Sequence, residues 1–353
     1  MSAAGGARRA PRAPGAGRAL RAHVETWRPY TLWYVGLVGL GGAALVAGPH
    51  QPWRLLGAWA APTLGWLGGH YLGDYFDREL DAGSKPHRPI PSGRLSPRAA
   101  VLCGSVCFAA LAVLAVAGGW RTASIALLGA LGIVAYSRWL KARGVAGNLI
   151  RGALGAIALA YGAAAVTGRP SAGTLGALLA LALAFWLHDT CSNLVGTLRD
   201  IDGDRAGGYQ TLPVRRGTPF AVRTALGLYA GTLAAALAGG LLADRGSRLG
   251  YLLTLLVVLG MGVAALVPLL AHRQAMPVSV ALRGHAMLVL ERVVLASAVV
   301  GLGLGPGWQL GLAVPMVVLT GWTQAMMRRR HELGAGVPPA AEAAGRARME
   351  EVS

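Results

Sequence analysis

Gly73-Asp-Tyr-Phe-Asp77-Arg-Glu-Leu-Asp81, running on through Ala-Gly-Ser-Lys85-Pro-His-Arg88-Pro-Ile-Pro91-Ser-Gly-Arg94, decides how this chain is read. It puts four carboxylates into nine residues at the end of an apolar segment, in a chain of 353 residues with only 15 acids. Asp189, Asp200, Asp202 and Asp204 form a second knot at the end of another apolar segment. Glu332, Glu342, Glu350 and Glu351 fall in a polar C-terminal stretch, and only Glu25, Asp244 and Glu291 are scattered. Ionisable groups near a bilayer are costly, so acids gathered at two membrane edges point to one anionic site. Carboxylates this crowded repel one another unless a cation holds them. Hard oxygen ligands suit Mg²⁺, which binds through a few carboxylates and the phosphates of a substrate.

The chain is 54% hydrophobic and 14% charged, with 52 glycines. That charge content is well below the roughly 25% of a globular protein. Apolar runs long enough to cross a bilayer fall at 31–48, 55–72, 99–119, 121–137, 148–167, 172–195, 219–243, 249–271, 285–304 and 308–327. They are rich in Leu, Ala, Val and Gly without period-two alternation, which makes them helices rather than barrel strands. The expected fold is all-α: a polytopic membrane bundle of nine to ten transmembrane helices. Its membrane domain covers 27–330, between a disordered basic tail (1–26) and a polar C-terminal tail (331–353).

The net charge of +18 could suggest nucleic-acid binding, but the placement of the basic residues argues otherwise. With residue 1 in the cytoplasm and ten alternating spans, Arg28, Lys85, Arg88, Arg94, Lys141, Arg199, Arg216 and Arg328 all fall on the cytoplasmic side. Only Arg54, Arg121, Arg169, Arg245 and Arg248 face the other way. This is the positive-inside asymmetry, so the charge sets topology and implies no nucleic-acid partner. The chain reads as a multi-pass protein of a bacterial plasma membrane, with both termini and both acidic loops cytoplasmic. Cys103, Cys107 and Cys191 lie in or beside apolar spans with no metal-site spacing and read as small core residues.

On a helix Asp74, Asp77 and Asp81 stand at i, i+3 and i+7 and share one face, while Glu79 points away. Asp200 and Asp204 share a face in the same manner, with Asp202 rotated off it. Two facing ladders could hold two or three Mg²⁺ ions around a diphosphate, neutralising the leaving group as a C–O bond breaks. A pair of solvated acidic loops is the plainer reading. It explains neither the scarcity of acids elsewhere nor the repeated spacing.

These segments resemble the UbiA superfamily of intramembrane prenyltransferases. Asp74-Tyr-Phe-Asp77-Arg-Glu-Leu-Asp81 with Lys85 and Arg88-Pro-Ile-Pro91-Ser-Gly93 is similar to its first aspartate motif. Asp200-Ile-Asp-Gly-Asp204-Arg-Ala-Gly207 with Thr211-Leu-Pro-Val214 is similar to its second. Tyr136-Ser-Arg-Trp-Leu-Lys141 with Gly147-Asn148 resembles the region between them, at a spacing one residue longer than the family's. The likeness covers about residues 25–305, with the three segments in family order after spans two, four and six.

The resemblance implies Mg²⁺ ligation and catalysis by Asp77, Asp81, Asp200 and Asp204, with Asp74 as an added ligand. It implies diphosphate contacts from Lys85, Arg88 and Lys141, with Lys141 also catalytic and Arg138 a further contact. Tyr75 and Tyr136 are candidates for the face of a carbocation pocket, where aromatic rings stabilise positive charge. Asp189 and Asn193, on one face of span six, are candidates for the acceptor side. His70 and His188, at the ends of spans two and six, read first as interfacial residues. Glu291-Arg292 inside span nine reads as internal helix pairing.

Two departures stand out: Gly73 occupies the position of the family's usual Asn, and ten spans are read where the family has nine. The expected activity is Mg²⁺-dependent transfer of an isoprenyl group from an isoprenyl diphosphate to a hydrophobic acceptor, aromatic or lipid. A terpene cyclase on the same scaffold is the competing enzyme. A membrane transporter is the competing class, disfavoured because the acids collect on one side instead of along a crossing path. No protein partner is named by the sequence.

Overall fold

The computed structural model describes residues 16–48, 51–244 and 246–333. Most of the two expected tails, 1–15 and 334–353, lies outside the described residues. All regular structure among the described residues is helical. The helices are α1 (Ala16–Trp27), α2 (Pro29–Leu45), α3 (Pro52–Phe76), α4 (Arg78–Ser84), α5 (Pro97–Gly118), α6 (Trp120–Ala135), α7 (Val145–Ala165) and α8 (Ala172–Thr197). There follow α9 (Ile201–Ala206), α10 (Leu212–Arg216), α11 (Thr218–Leu242), α12 (Arg248–Ala271), α13 (Val278–Leu304), α14 (Pro306–Thr323) and α15 (Arg329–Leu333). Single π-helical turns prolong α6 over Tyr136–Leu140 and α14 over Gln324–Arg328.

Among the described residues ten long helices coincide with the ten apolar runs, and eight of them are long and apolar enough to cross a membrane. The other two are α2, with 17 residues, and α3, whose run is interrupted by polar and charged positions. Their starts follow local chemistry. Proline opens α2, α3, α5 and α14, where its missing N–H costs nothing. The Ser96 and Ser171 hydroxyls cap α5 and α8 by accepting from the backbone N–H groups of Ala99 and Thr174.

Consecutive long helices are neighbours, and α13 returns against α2 to close a ring. α2, α7, α8 and α13 form its crowded interior, where Leu37, Leu159, Leu181 and Leu295 are fully enclosed. The α2–α7 crossing is set by glycine, because a Cβ at Gly162 would overlap the Gly39 carbonyl. Small residues give this close approach in place of the hydrophobic drive that lipid removes. The outer helices α5, α6 and α14 instead leave Val106, Val113, Leu131 and Val318 exposed, as lipid-facing surfaces require.

Two expectations about the ends are corrected. Residues 16–27 are not disordered: α1 is amphipathic and lies on α3, with the His23 and Trp27 rings both hydrogen-bonded to the Tyr71 hydroxyl. Glu25 pairs with Arg94 at 2.7 Å. Glu332 is not solvated in a tail, because α15 folds back beneath the end of the bundle and buries it.

Candidate active site

Asp77 ends α3 and begins α4, yet the helical hydrogen bonds persist across the junction, from Asp77 N–H to Gly73 and from Asp81 N–H to Asp77. The one-face spacing read from sequence therefore survives: Asp74, Asp77 and Asp81 are buried, while the Glu79 side chain is 84% exposed. In the second motif Asp200 precedes α9 and Asp204 sits within it, and the Asp202 side chain is 96% exposed. The loop after α6 joins them, as the Gln210 N–H donates to the Ala142 carbonyl at 2.9 Å. All three sequence segments thus meet at one end of the bundle.

They line a cavity of about 500 Å³. Each carboxylate but one has a cation from a different element. Lys141 reaches Asp77 in a short contact, Arg88 grips both oxygens of Asp81 at 3.1 and 2.8 Å, and Lys85 crosses to Asp200 at 3.0 Å. Arg199 also holds Asp200, at 2.7 Å, and Arg28 pairs closely with Asp74. Asp204 has no ion pair among the described residues.

The electrostatics follow. Burial and the neighbouring Asp200 push the Asp204 carboxyl up to about 6. Burial also disfavours the Asp200 carboxylate, but Arg199 and Lys85 overcome it and hold Asp200 below the usual range. Burial lowers Lys141, and Asp77 more than reverses this, keeping the ammonium charged. Burial and the nearby Arg88 push Lys85 down, despite the pull of Asp200.

Of the residues expected from sequence, Asp74, Asp77, Asp81, Lys85, Arg88, Tyr136, Lys141, Asp189, Asn193, Asp200 and Asp204 all line this cavity. Two do not. Arg138 is exposed, because the π turn carries it to the outer side, and Tyr75 meets Phe76 edge-on and lies under the Arg78 guanidinium instead. His188 is enclosed behind the cavity wall in a short pair with Glu291, and Arg292 meets Asp189 at 3.5 Å. The reading of Glu291-Arg292 as helix pairing therefore holds. The Asn193 carboxamide donates to the Tyr136 hydroxyl at 3.4 Å and accepts from Asn148 at 2.7 Å.

Several site residues escaped the sequence reading. In the sequence Arg28 reads only as a topological charge. It links α1 to α2 in the left-handed region (φ 48), a costly conformation for arginine that turns the chain just before Pro29. Arg199 was likewise hidden by the positive-inside rule, although its adjacency to Asp200 was a usable signal. Glu332 is the least expected. It lies 3.3 Å from Arg88, 3.3 Å from Arg199 and 3.9 Å from Lys85, and these three cations hold its carboxyl well below the usual range against burial. A carboxylate of this chain thus sits among the cations expected to meet a diphosphate.

A narrow apolar groove adjoins the polar cavity. Val35, Gly65, Leu111, Ile125, Gly129 and Ile157 line it, and Trp66, Ile133 and Leu154 border both spaces.

The family model of the UbiA prenyltransferase family matches residues 34–280. Digeranylgeranylglyceryl phosphate synthase of Halobacterium salinarum is 37% identical over 216 residues, covering 61% of this chain and 76% of the relative. The same-named enzyme of Ignicoccus hospitalis is 36% identical over 245 residues, covering 68% and 78%. Among solved structures, a UbiA homolog from Aeropyrum pernix superposes with a TM-score of 0.62 at 17% identity, covering 76% of this chain and 96% of that one. One from Archaeoglobus fulgidus bound to DMAPP and Mg²⁺ gives 0.54 at 15% identity, covering 78% and 99%. At such identities the structural likeness concerns the fold.

Proposed function

The chain belongs to the UbiA prenyltransferase family, and from that premise we propose that it transfers an isoprenyl group from an isoprenyl diphosphate to a lipid alcohol. The carrying observation is convergence: carboxylates and cations of both aspartate motifs meet at one end of a single cavity, and an apolar groove opens from it. The diphosphate belongs at the charged end and the isoprenyl chain in the groove. A lipid acceptor is favoured over an aromatic one by the similarity to synthases of digeranylgeranylglyceryl phosphate.

The donor set suits Mg²⁺. The Asp74 Oδ2 atom is buried without a hydrogen-bond partner, and Asp77, Asp81, Asp200 and Asp204 supply hard oxygens around the cavity. No ready cage of three such groups exists among the described residues. Mg²⁺ commonly uses one or two carboxylates and completes its shell with water and substrate phosphate, so open ladders are a fitting arrangement. When bound, Mg²⁺ would offset the charge that gathers on the departing diphosphate.

The protein's own groups do the rest. Lys85, Arg88, Arg199 and Lys141 are already charged and held in place, and would exchange carboxylate for diphosphate oxygens as charge-assisted hydrogen bonds. The face of Tyr136, at the cavity, would steady positive charge developing on the allylic carbon. The positive-inside distribution of the basic residues supports a cytoplasmic position for this end. The reading of a bacterial plasma membrane stays a proposal, since the relatives named above are archaeal.

Membranes containing the protein, given labelled isoprenyl diphosphates of several lengths with and without a glyceryl lipid acceptor, test the reading. Acceptor-dependent diphosphate release, lost in chelator and restored by Mg²⁺, is expected. Release without any acceptor would favour the cyclase, and full activity in chelator would overturn the metal assignment.

A further inference from the structure

The charged end of the cavity already holds an anion from its own chain. α15 follows the π turn at Gln324–Arg328 and carries Glu332 to the point where Lys85, Arg88 and Arg199 converge. Arg88 and Arg199 each come within 3.3 Å of its carboxylate, and Lys85 within 3.9 Å. Glu332 is buried and lines the cavity. These are the cations that prenyl transfer gives to the diphosphate, so two anions compete for one place.

They cannot share it. Asp81, Asp200 and Glu332 face Lys85, Arg88 and Arg199, so the cluster is balanced before any ligand enters. A diphosphate brings further negative charge to the same cations, and like charges crowded in a partly dehydrated site repel. One carboxylate has to withdraw. Asp81 belongs to α4, which continues α3, and Asp200 stands between α8 and α9. Glu332 instead lies on a helix of five residues hung on a π turn.

That helix is lightly held. Its backbone packs chiefly on its own π turn, and among the described residues none of its side chains joins the apolar core. Its anchors are polar. The Arg28 Nε donates to the His331 ring at 3.0 Å, and the His87 ring donates to the His331 carbonyl at 2.9 Å. Arg328 fixes the π turn by donating to His285 at 2.7 Å and through a short contact with Gln324. Water can take over contacts of this kind, so their net hold is modest. Single π turns are rare and recur at functional sites.

We propose that α15 is a displaceable lid on the donor site, with Glu332 occupying the place of the diphosphate until an isoprenyl diphosphate and its Mg²⁺ displace it. The lid rests on the prenyl-transfer reading and adds a gate to it. Before the donor enters, Glu332 keeps three cations from being left short of negative charge. As the donor enters, α15 swings about the π turn and uncovers the charged end of the cavity. Releasing α15 costs part of the donor's binding energy, so a weaker lid means a tighter donor.

Spin labels at two exposed positions read the motion. Glu79→Cys on α4 and Arg330→Cys on α15 are labelled in the full chain, with Cys103→Ala, Cys107→Ala and Cys191→Ala removing the native thiols. Without ligand, pulsed electron-spin measurement should give one narrow distance distribution. Saturating Mg²⁺ and inorganic pyrophosphate should lengthen and broaden it. An unchanged distribution, in a sample whose thermal midpoint shows pyrophosphate bound, would overturn the lid.

Binding to the unlabelled protein gives a second readout. Glu332→Gln keeps the shape and loses the charge, so it should bind Mg²⁺ and pyrophosphate about three- to fivefold more tightly than wild type. Weaker binding in the variant would overturn the lid, since Glu332 would then be positioning the cations. Pyrophosphate bound by Glu332→Gln and refused by wild type would support it most strongly. Binding to neither would overturn the lid together with the diphosphate assignment. Acceptor-dependent prenyl transfer with an unmoved α15 would sink the lid alone.

Discussion

The two aspartate motifs share a spacing and differ in setting. In the first, Asp74, Asp77 and Asp81 are buried, and each is matched by one cation: Arg28 from the start of α2, Lys141 from the loop after α6, and Arg88 from the same motif. In the second, the Asp200 side chain is 24% exposed and shared by Lys85 and Arg199, while Asp204 has no ion pair among the described residues. Helical periodicity fixes which face a carboxylate occupies. What else reaches that face fixes its charge. The first motif is a neutralised, pre-formed wall, and the second is the adjustable side of the site.

The largest effects should come from removing single inward carboxylates. Asp77→Ala, Asp81→Ala, Asp200→Ala or Asp204→Ala should lower turnover by at least about a hundredfold, or roughly 2.7 kcal/mol of transition-state stabilisation. Glu79→Ala and Asp202→Ala, which remove exposed carboxylates, should cost far less. Stability separates the motifs further. Asp81→Ala leaves the buried Arg88 with Glu332 alone, at 3.3 Å, and should destabilise the solubilised protein by roughly 1–3 kcal/mol, whereas Asp204→Ala strands no cation. Equal thermal shifts in the two variants would erase the distinction between wall and adjustable side.

The pH response should come from the second motif. Asp204 titrates near 6 when folded, above its ordinary value, so it binds its proton more tightly folded than unfolded. It opposes stability at neutral pH, and that penalty is relieved as pH falls through 6 toward 3.8. Asp200 does the reverse: its stabilising share is present above its ordinary value of 3.8 and is lost as pH falls through its lower folded value. Only the ionised Asp204 can offer oxygen to a metal. The half-saturating Mg²⁺ concentration should therefore rise about tenfold between pH 7 and pH 5, one proton being displaced per metal bound. Asp204→Asn should flatten that slope, and a flat wild-type profile would remove Asp204 from the ligand set.

Glu332 offers a smaller effect. Its carboxylate shares Arg88, Arg199 and Lys85 with the two motifs, so it competes with any diphosphate for them. Glu332→Gln should lower the KM for the isoprenyl diphosphate by a few-fold, about 0.6–1 kcal/mol. A raised KM would instead make Glu332 a support that positions the cations.

Much of this was legible in the sequence. The apolar runs specify the helices because a bilayer permits few alternatives, and the i, i+3, i+7 spacing of Asp74, Asp77 and Asp81 specifies their common face. Arg28, Arg199 and Glu332 were not legible, for a shared reason. Each enters through a junction or terminal segment whose path depends on tertiary packing. The positive-inside rule also offers every cytoplasmic arginine a sufficient topological explanation. Tyr75 and Arg138 failed in the opposite direction: both adjoin motif residues in sequence, and the helical turn sends both side chains away from the cavity.

Gly73→Asn is the mildest and most discriminating change. The resemblance places an asparagine at this position, and the structure shows that one would fit. A Cβ added to Gly73 meets only the Ser137 hydroxyl, at 4.0 Å, and the residue lines the cavity one turn before Asp77. Mid-helix glycine also costs about 1 kcal/mol relative to alanine, so the substitution should not harm stability. A carboxamide there adds one neutral oxygen to the first motif, where the carboxylates are already committed to cations. Its gain at a metal should be modest, because a neutral ligand adds no charge to the site. We expect the half-saturating Mg²⁺ concentration to fall by about threefold or stay level, a change within about 0.7 kcal/mol, with kcat near wild type. A loss of turnover by tenfold or more would mean that the open space at Gly73 is itself used, by water or substrate. The first motif would then be no finished wall, and the contrast with the second would have to be redrawn.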